Sequence, residues 1–415
     1  MWWQGARRLV GAVWPMKRPE SCNEKSTLRV LMKNEKNFVK LVALSVAATF
    51  ALSACGGGGD GGSTPPSNRA NAPSTPTQQP SSTTPSSVPP QTSVPPATYP
   101  SNSPSAALFV QLNAYRQALG VGLMKQDVAL DKAATAHANY GLQNVPSRAI
   151  NFLGHDENPS LPGFTGTWPL QRAQAAGAPA TEWVGEVVTG SYGPVVQTAG
   201  TDCGNTWINS VYHLESVTSN TESMGVGVAT SVTSPTAGQQ PGMATYCVVD
   251  MGTTTGVPRA PNLFQPSEVN ATPSGGGQQF APSLIVHAPY TNETDVSVAM
   301  SPFEMPNPAP DLSAPGRPIM VRVNTTRGKT LTVSNFQLID NTGAAVSARI
   351  LVPQSAVSGS TAVVTADPNN ALPSGVAFLL PLARLKANTT YTVTFAGARD
   401  GTPMSTSWSF ATGAK

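Results

Sequence analysis

Apolar positions begin to recur at helical spacing near residue 106. ALFVQLNAYRQALG places Leu108, Leu112, Tyr115 and Leu119 on one face, with Gly120 as a stop signal. A second helix is predicted from about Asp127, with Leu130, Ala134, His137 and Gly141 on its inner face. PLQRAQAAGA (169–178) reads as a short helix closed by Gly177, and WVGEVVTG as a strand or irregular extended piece. CGNTWINSVYHLES reads as one further helix, with Trp207, Val211 and Leu214 inward. Strands are then predicted over 223–231 and 244–252. Helices followed by strands describe an α+β or three-layer domain over 106–257. Residues 258–281 are rich in Pro, Gly and Gln and read as a linker. Beyond them the period changes to two: SLIVH, DVSVAM, RPIMVRV, TLTVSNFQL, VSARILV, TAVVT, VAFLLPL, TYTVTFAG and MSTSWSF, with turn signals between. That alternation predicts an all-β sandwich over 282–415.

The N-terminal part has no such pattern. Lys33, Lys36 and Lys40 precede the apolar run LVALSVAATFAL, which is too short to span a bilayer and reads as a secretory signal over 32–54. Met32 then serves as the start, and residues 1–31 add nothing recognisable. Leu52-Ser53-Ala54-Cys55 resembles a bacterial lipobox, which implies cleavage before Cys55 and its lipidation; an ordinary signal peptide cut nearby is the alternative. Residues 55–105 open with GGGGDGG and continue as a Pro/Ser/Thr tract with little to bury, so a disordered tether is expected.

Charge and cysteine content narrow the function classes. Of the 25 Lys/Arg and 22 Asp/Glu, nine basic and three acidic residues precede Cys55. The remainder is close to −3, which removes the electrostatic case for nucleic acid. Cys22 falls in the discarded leader and Cys55 at the anchor. Cys203 and Cys247 remain as a disulfide candidate in an exported chain, with two buried free thiols as the alternative.

The densest polar stretch is GHDENPSLPGFTG (154–166). Adjacent side chains diverge, so His155, Asp156 and Glu157 do not all face one ion, and Asp156 or Glu157 is expected to be solvated or to cap the turn. His137 reads as a core or cleft-wall histidine, and His287 as a surface residue. LKANTTYTVTF resembles the corner of immunoglobulin-like domains in which a tyrosine hydroxyl, here Tyr391, pins the preceding turn. There is no His-Glu-x-x-His, Gly-x-Ser-x-Gly, phosphate loop or Cys-x-x-Cys.

The ordered series LNAYR, AHANY, GHDEN, GEVV, WINSVYH, MGVGVA and YCVVDMG resembles bacterial members of the CAP superfamily of cysteine-rich secretory, antigen-five and pathogenesis-related proteins. The resemblance covers 106–257 and implies a CAP α-β-α sandwich there, which together with the immunoglobulin-like sandwich read from the strand pattern gives a fold of class α+β. It also implies a cleft holding His155, Glu186 and His213. Two departures stand out: Val187 replaces the asparagine after the glutamate, and Ser210 stands where eukaryotic members carry a second acid. Ser210 and His137 are secondary cleft candidates. Two imidazoles and a carboxylate suit Zn²⁺ or Ni²⁺ with open coordination, His155 and His213 being the candidate ligands. They equally suit a general base around a water, or mutual satisfaction of buried polar groups. The first functional reading is an envelope binding module, lipid-anchored at Cys55 and displayed at the outer membrane, for a lipid, sterol-like or protein ligand. The alternatives are a metal-dependent hydrolase using the same cleft and a structural or adhesive envelope protein.

Overall fold

The computed structural model describes residues 86–233, 240–256, 276–325 and 329–414. The signal, the Cys55 anchor and most of the 258–281 linker lie outside these residues. Among the described residues no helix is long and apolar enough to cross a membrane.

Helix α1 (Pro104–Leu119) starts where the Ser103 hydroxyl accepts from the Ala106 N–H, and it stops at Gly120. Helix α2 (Val128–Asn144) starts where the Asp127 carboxylate accepts from Ala129 and Leu130. Their predicted inner faces are buried. A four-stranded sheet follows, in the order β1 (Lys125–Gln126), β3 (Ser223–Thr233), β4 (Gly242–Thr253), β2 (Trp183–Pro194). The strand at 125–126 has no apolar pattern and was not foreseen; it runs parallel to β3 at the sheet edge. Helices α2 and α3 (Pro169–Ala175) cover one face of the sheet. Helices α1, α4 (Ala199–Ile208) and α5 (Tyr212–Val217) cover the other. All twelve residues of β4 are buried as a result, and its side chains alternate between the two layers. The MGVGVA motif is explained by packing. A Cβ at Gly225 would lie 2.0 Å from the Leu130 carbonyl carbon, and one at Gly227 would lie 2.2 Å from the Ala134 oxygen. The backbone of α2 rests directly on β3 at these two glycines.

The β-rich region holds two sheets. One is ordered β5 (Val286–Ala288), β6 (Ile319–Arg322), β10 (Val376–Pro381), β8 (Ala348–Val352), β9 (Thr365–Ala366). The other is ordered β12 (Thr402–Ala411), β11 (Thr390–Arg399), β7 (Leu331–Asp340). Ala377 and Leu379 of β10 enter the core between the sheets, with Phe336, Phe395 and Trp408. Val376, Phe378 and Leu380 point the other way and join one apolar cluster with Trp207, Val211 and Leu214. The unbroken apolar run VAFLLP is thus a strand covered on both faces. Its second cover is the α/β layer system, and residues 79–415 form one compact unit. Tyr391 Oη accepts from the Lys386 N–H at 2.8 Å, as its corner position predicted.

Four expectations change. The tether was expected to reach residue 105, yet from Ser86 the chain lies on the folded unit. Gln91 donates to the carbonyls of Leu123 and Glu222, and the Tyr99 ring packs at a tilt against Phe109. Side-chain hydrogen bonds hold this Pro-rich stretch without a strand ladder. The helix predicted over 203–216 is two helices, broken at Asn209–Val211 because the Glu304 carboxylate accepts from the N–H groups of Val211, Tyr212 and His213 and starts α5 anew. DVSVAM keeps its alternating burial, with Val296, Val298 and Met300 inward, but forms only a single bridge to Thr412. His287 is half-buried and stacks on Trp408 with ring centroids 4.0 Å apart, so it is a packing residue.

The interface between the α/β layers and the five-stranded sheet contains a buried ion pair, Arg322 to Glu215 at 3.3 Å. Burial pushes Glu215 up to about 7 against the pull of Arg322. Burial beside Asp127 likewise pushes Glu182 up to about 7. Both start from an ordinary 4.5, so the folded state binds more protons than the unfolded chain between these values. Their contribution is complete below about pH 4.5 and is lost as pH rises through about 7. The thermal midpoint is expected to be lower at pH 8 than at pH 5 by on the order of 5 °C. A Glu215→Gln/Glu182→Gln variant should flatten that slope in calorimetry, and an unchanged slope would count against both assignments.

Candidate functional site

Glu186 sits on β2 between Val184 and Val188, so strand alternation turns it toward the α2–α3 layer. Its cross-strand neighbour on β4 is Asp250. Above them, α3 supplies Arg172, α2 supplies His137, and the loop after α2 supplies His155 and Glu157. Arg172 Nη2 donates to Glu186 Oε2 at 2.6 Å, and His155 Nδ1 lies 2.9 Å from Glu186 Oε1. Both oxygens of Glu186 are therefore engaged. Burial would raise Glu186, but Arg172, His137 and His155 outweigh it and hold the carboxyl below the usual carboxylate range.

Asp250 behaves in the opposite way. Burial and the adjacent Glu186 charge hold it well above the usual range. Among the described residues no N–H or hydroxyl reaches either of its oxygens. A neutral Asp250 that donates its proton to Glu186 satisfies both groups.

Glu157 corrects the expectation for the loop. Asp156 is exposed as foreseen, whereas Glu157 is 1 % exposed and belongs to the cluster. Its Oε1 lies 2.9 Å from His137 Nδ1, and its Oε2 accepts from the Thr165 N–H at 2.7 Å. His137 Nε2 faces the Gly154 carbonyl at 2.8 Å. Both ring nitrogens thus face acceptors. His137 is a core residue that ties the 154–166 loop to α2.

His155 and His213 meet at a pocket of about 420 Å³. Its walls include Phe152, Leu153, Val188 and Tyr246, and also Phe303 and Met305 from the β-rich region. His213 Nδ1 lies 3.3 Å from Glu304 Oε1. Each histidine therefore has a carboxylate at Nδ1, and among the described residues neither Nε2 has a hydrogen-bond partner. Ser210 is not brought to the pocket. Its buried hydroxyl donates to the Thr206 carbonyl within the α4 turn at 2.8 Å.

The arrangement was also tested as a metal centre. Both oxygens of Glu186 already face His155 and Arg172, and two imidazoles supply half of a tetrahedral zinc shell. No group of three His, Cys, Asp or Glu placed to hold a metal occurs among the described residues. The donor set does not fit a protein-caged zinc ion.

The disulfide candidate is formed. Cys203 on α4 joins Cys247 on β4 with Cα atoms 6.3 Å apart. Arg116 of the LNAYR motif is structural; its guanidinium is buried and donates to the carbonyls of Gly122, Val217 and Ser219, closing the loops at the far ends of α1 and α5.

Sequence reasoning missed Glu304, Phe303, Met305 and Asp250. The first three lie about fifty residues beyond β4 in the chain, and nothing local marks them. Asp250 was detectable as the lone charge inside an otherwise apolar strand, ATYCVVDMG. With this geometry in hand, residues 110–251 match the family model described as CAP: Cysteine-rich secretory protein family. The chain carries a CAP domain over that segment. No curated protein matches the chain.

Proposed function

We propose that this is an exported, lipid-anchored envelope protein whose CAP domain binds an amphiphile through the His155/His213 pocket. The observation that carries the reading is the pocket's composition. Aromatic and aliphatic walls surround two imidazoles, the pattern of a site that encloses an apolar body and orients one polar end. Exposed apolar side chains continue its rim, Phe152 at 56 % and Tyr192 at 69 % exposure. Glu186 supports binding rather than turnover, because Arg172, His137 and His155 outweigh burial and hold its carboxyl below the usual carboxylate range, which makes it a weak proton acceptor.

In this reading Cys55 carries the lipid and the Gly/Pro/Ser/Thr tract provides reach from an outer-membrane surface. The β-rich region is an immunoglobulin-like sandwich, supported by its two sheets and the Tyr391 corner. It serves as a wall of the site more than as a separate spacer. Native mass spectrometry of the full chain, gently extracted from its host membrane, should show a bound apolar adduct. Phe152→Ser and Tyr192→Ser should each lower occupancy about fivefold, the loss of roughly 1 kcal/mol of apolar contact. A clean ligand-free mass would count against the reading. Labelled fatty acid should be incorporated at Cys55 and lost in Cys55→Ala.

A further inference from the structure

Resting on the binding reading above, we infer that the pocket is completed by the β-rich region: Glu304 positions His213, and the site takes an apolar molecule ending in a hydrogen-bond donor such as an alcohol.

Glu304 is buried and its carboxylate is aimed at α5. Oε2 accepts from the Val211 N–H at 2.7 Å, and Oε1 accepts from Tyr212 at 2.6 Å and His213 at 3.1 Å. The same Oε1 faces His213 Nδ1. One carboxylate thereby fixes both the backbone that carries the imidazole and the proton on its inner nitrogen. Glu304 is a positioning residue, supplied from well outside residues 110–251, and it stands on His213 as Glu186 stands on His155. Segment 302–306 is held against α4 by Ser301, whose Oγ donates to the Thr206 carbonyl at 2.6 Å and whose N–H donates to the Asn209 carbonyl at 2.9 Å. Phe303 and Met305, on either side of Glu304, project into solvent at 83 % and 63 % exposure while lining the pocket. A three-residue unit thus supplies one polar anchor and two apolar contacts to a single ligand.

The ligand class follows from the tautomers. A neutral imidazole that donates from Nδ1 to a carboxylate leaves Nε2 as an acceptor. On this inference both rings take that form, His155 beside Glu186 and His213 beside Glu304, each with Nε2 open to the pocket. A hydroxyl head can donate to either ring. A carboxylate head meets two lone pairs and the negative groups behind them.

The test uses the full chain labelled with ¹⁵N-histidine, which contains four histidines and can be assigned by single substitutions. In the wild type, His213 should show the Nδ1-protonated tautomer. Glu304→Ala should lose it, and Glu304→Gln, which can keep an oxygen at the Oε1 position, should restore it. Dodecanol should bind about tenfold more tightly than dodecanoate, the worth of roughly one hydrogen bond. Phe303→Ser/Met305→Ser, two exposed positions that should leave folding intact, should weaken dodecanol about tenfold without moving the His213 tautomer. An Nε2-protonated His213 in the wild type, or a tautomer unchanged in Glu304→Ala, overturns the positioning role. Preference for dodecanoate overturns the ligand class alone. Binding of neither probe overturns the ligand class together with the proposed function, and dodecanol affinity unchanged in the double variant removes the β-rich region from the pocket.

Discussion

Replacing Glu186 with alanine should destabilise the folded unit by about 3–5 kcal/mol, the cost of stranding a buried cation. Arg172 and Glu186 are fully buried as side chains and meet at 2.6 Å. Without Glu186 the guanidinium keeps only the carbonyls of His155, Gly166 and Thr167 and a distant Glu157 oxygen at 3.9 Å. The three carbonyls all accept from Nη1, so the change strips Nη2 of its hydrogen bond and leaves the charge without its partner. Urea denaturation should show the loss as a lower midpoint at unchanged slope. Combining the change with Arg172→Met should recover part of the stability, because the apolar replacement removes the uncompensated charge. A single-variant loss below about 1 kcal/mol would show that the pair is far better solvated than its burial implies. Asp250→Asn is the contrasting variant. A carboxamide donates to Glu186 as the neutral carboxyl does, and it cannot ionise as pH rises. Stability at pH 8 should therefore be equal to or above that of the wild type. A clear loss there would mean that Asp250 is ionised in the fold.

Removing the Cys203–Cys247 bridge should be comparably costly. The two residues are 44 apart in sequence, and closing a loop of that length restricts the unfolded chain by about 4 kcal/mol in the entropic model. The bridge pins α4, the helix that also carries Trp207, to the interior strand β4, shortly before the Glu304-capped turn. Cys203→Ala/Cys247→Ala should lower the urea midpoint to the value the wild type shows when unfolded under reductant. Cys247 is fully buried, so reductant added to the native protein should act only as the chain opens. If the paired variant and the reduced wild type both lost less than about 1 kcal/mol, the unfolded chain would already be compact around this loop.

Much of the α/β region is legible in the chain because its signals are local. The face Leu108, Leu112, Tyr115 and Leu119 requires only a helix with one apolar neighbour, and the structure supplies that neighbour. Asp127 marks a helix start because a side-chain oxygen must satisfy N–H groups that no earlier turn can reach. The motif order around His155, Glu186 and His213 likewise pointed to two of the residues at the Glu186 corner of the site. Position 157 was misjudged because adjacency in sequence was taken to mean divergence toward solvent. The loop folds back onto α2, and Glu157 finds His137 twenty residues earlier.

By itself, then, the sequence determined the periodic elements, the two-part division into helical-and-strand and all-strand regions, the cysteine pair as a disulfide candidate, and His155 and Glu186 but not Arg172, Glu157 or Asp250 at the Glu186 corner. Tertiary structure alone decided where the 203–216 helix breaks, that VAFLLP has a second apolar cover, and that His213 answers to a carboxylate ninety-one residues away. The physical reason is the range of the interactions. Periodicity and capping act within one or two turns of chain, so they are written locally. A buried carboxylate is placed by whichever backbone donors and imidazole nitrogen it meets when two layers close, and neither Glu304 nor His213 carries a mark of the other beforehand.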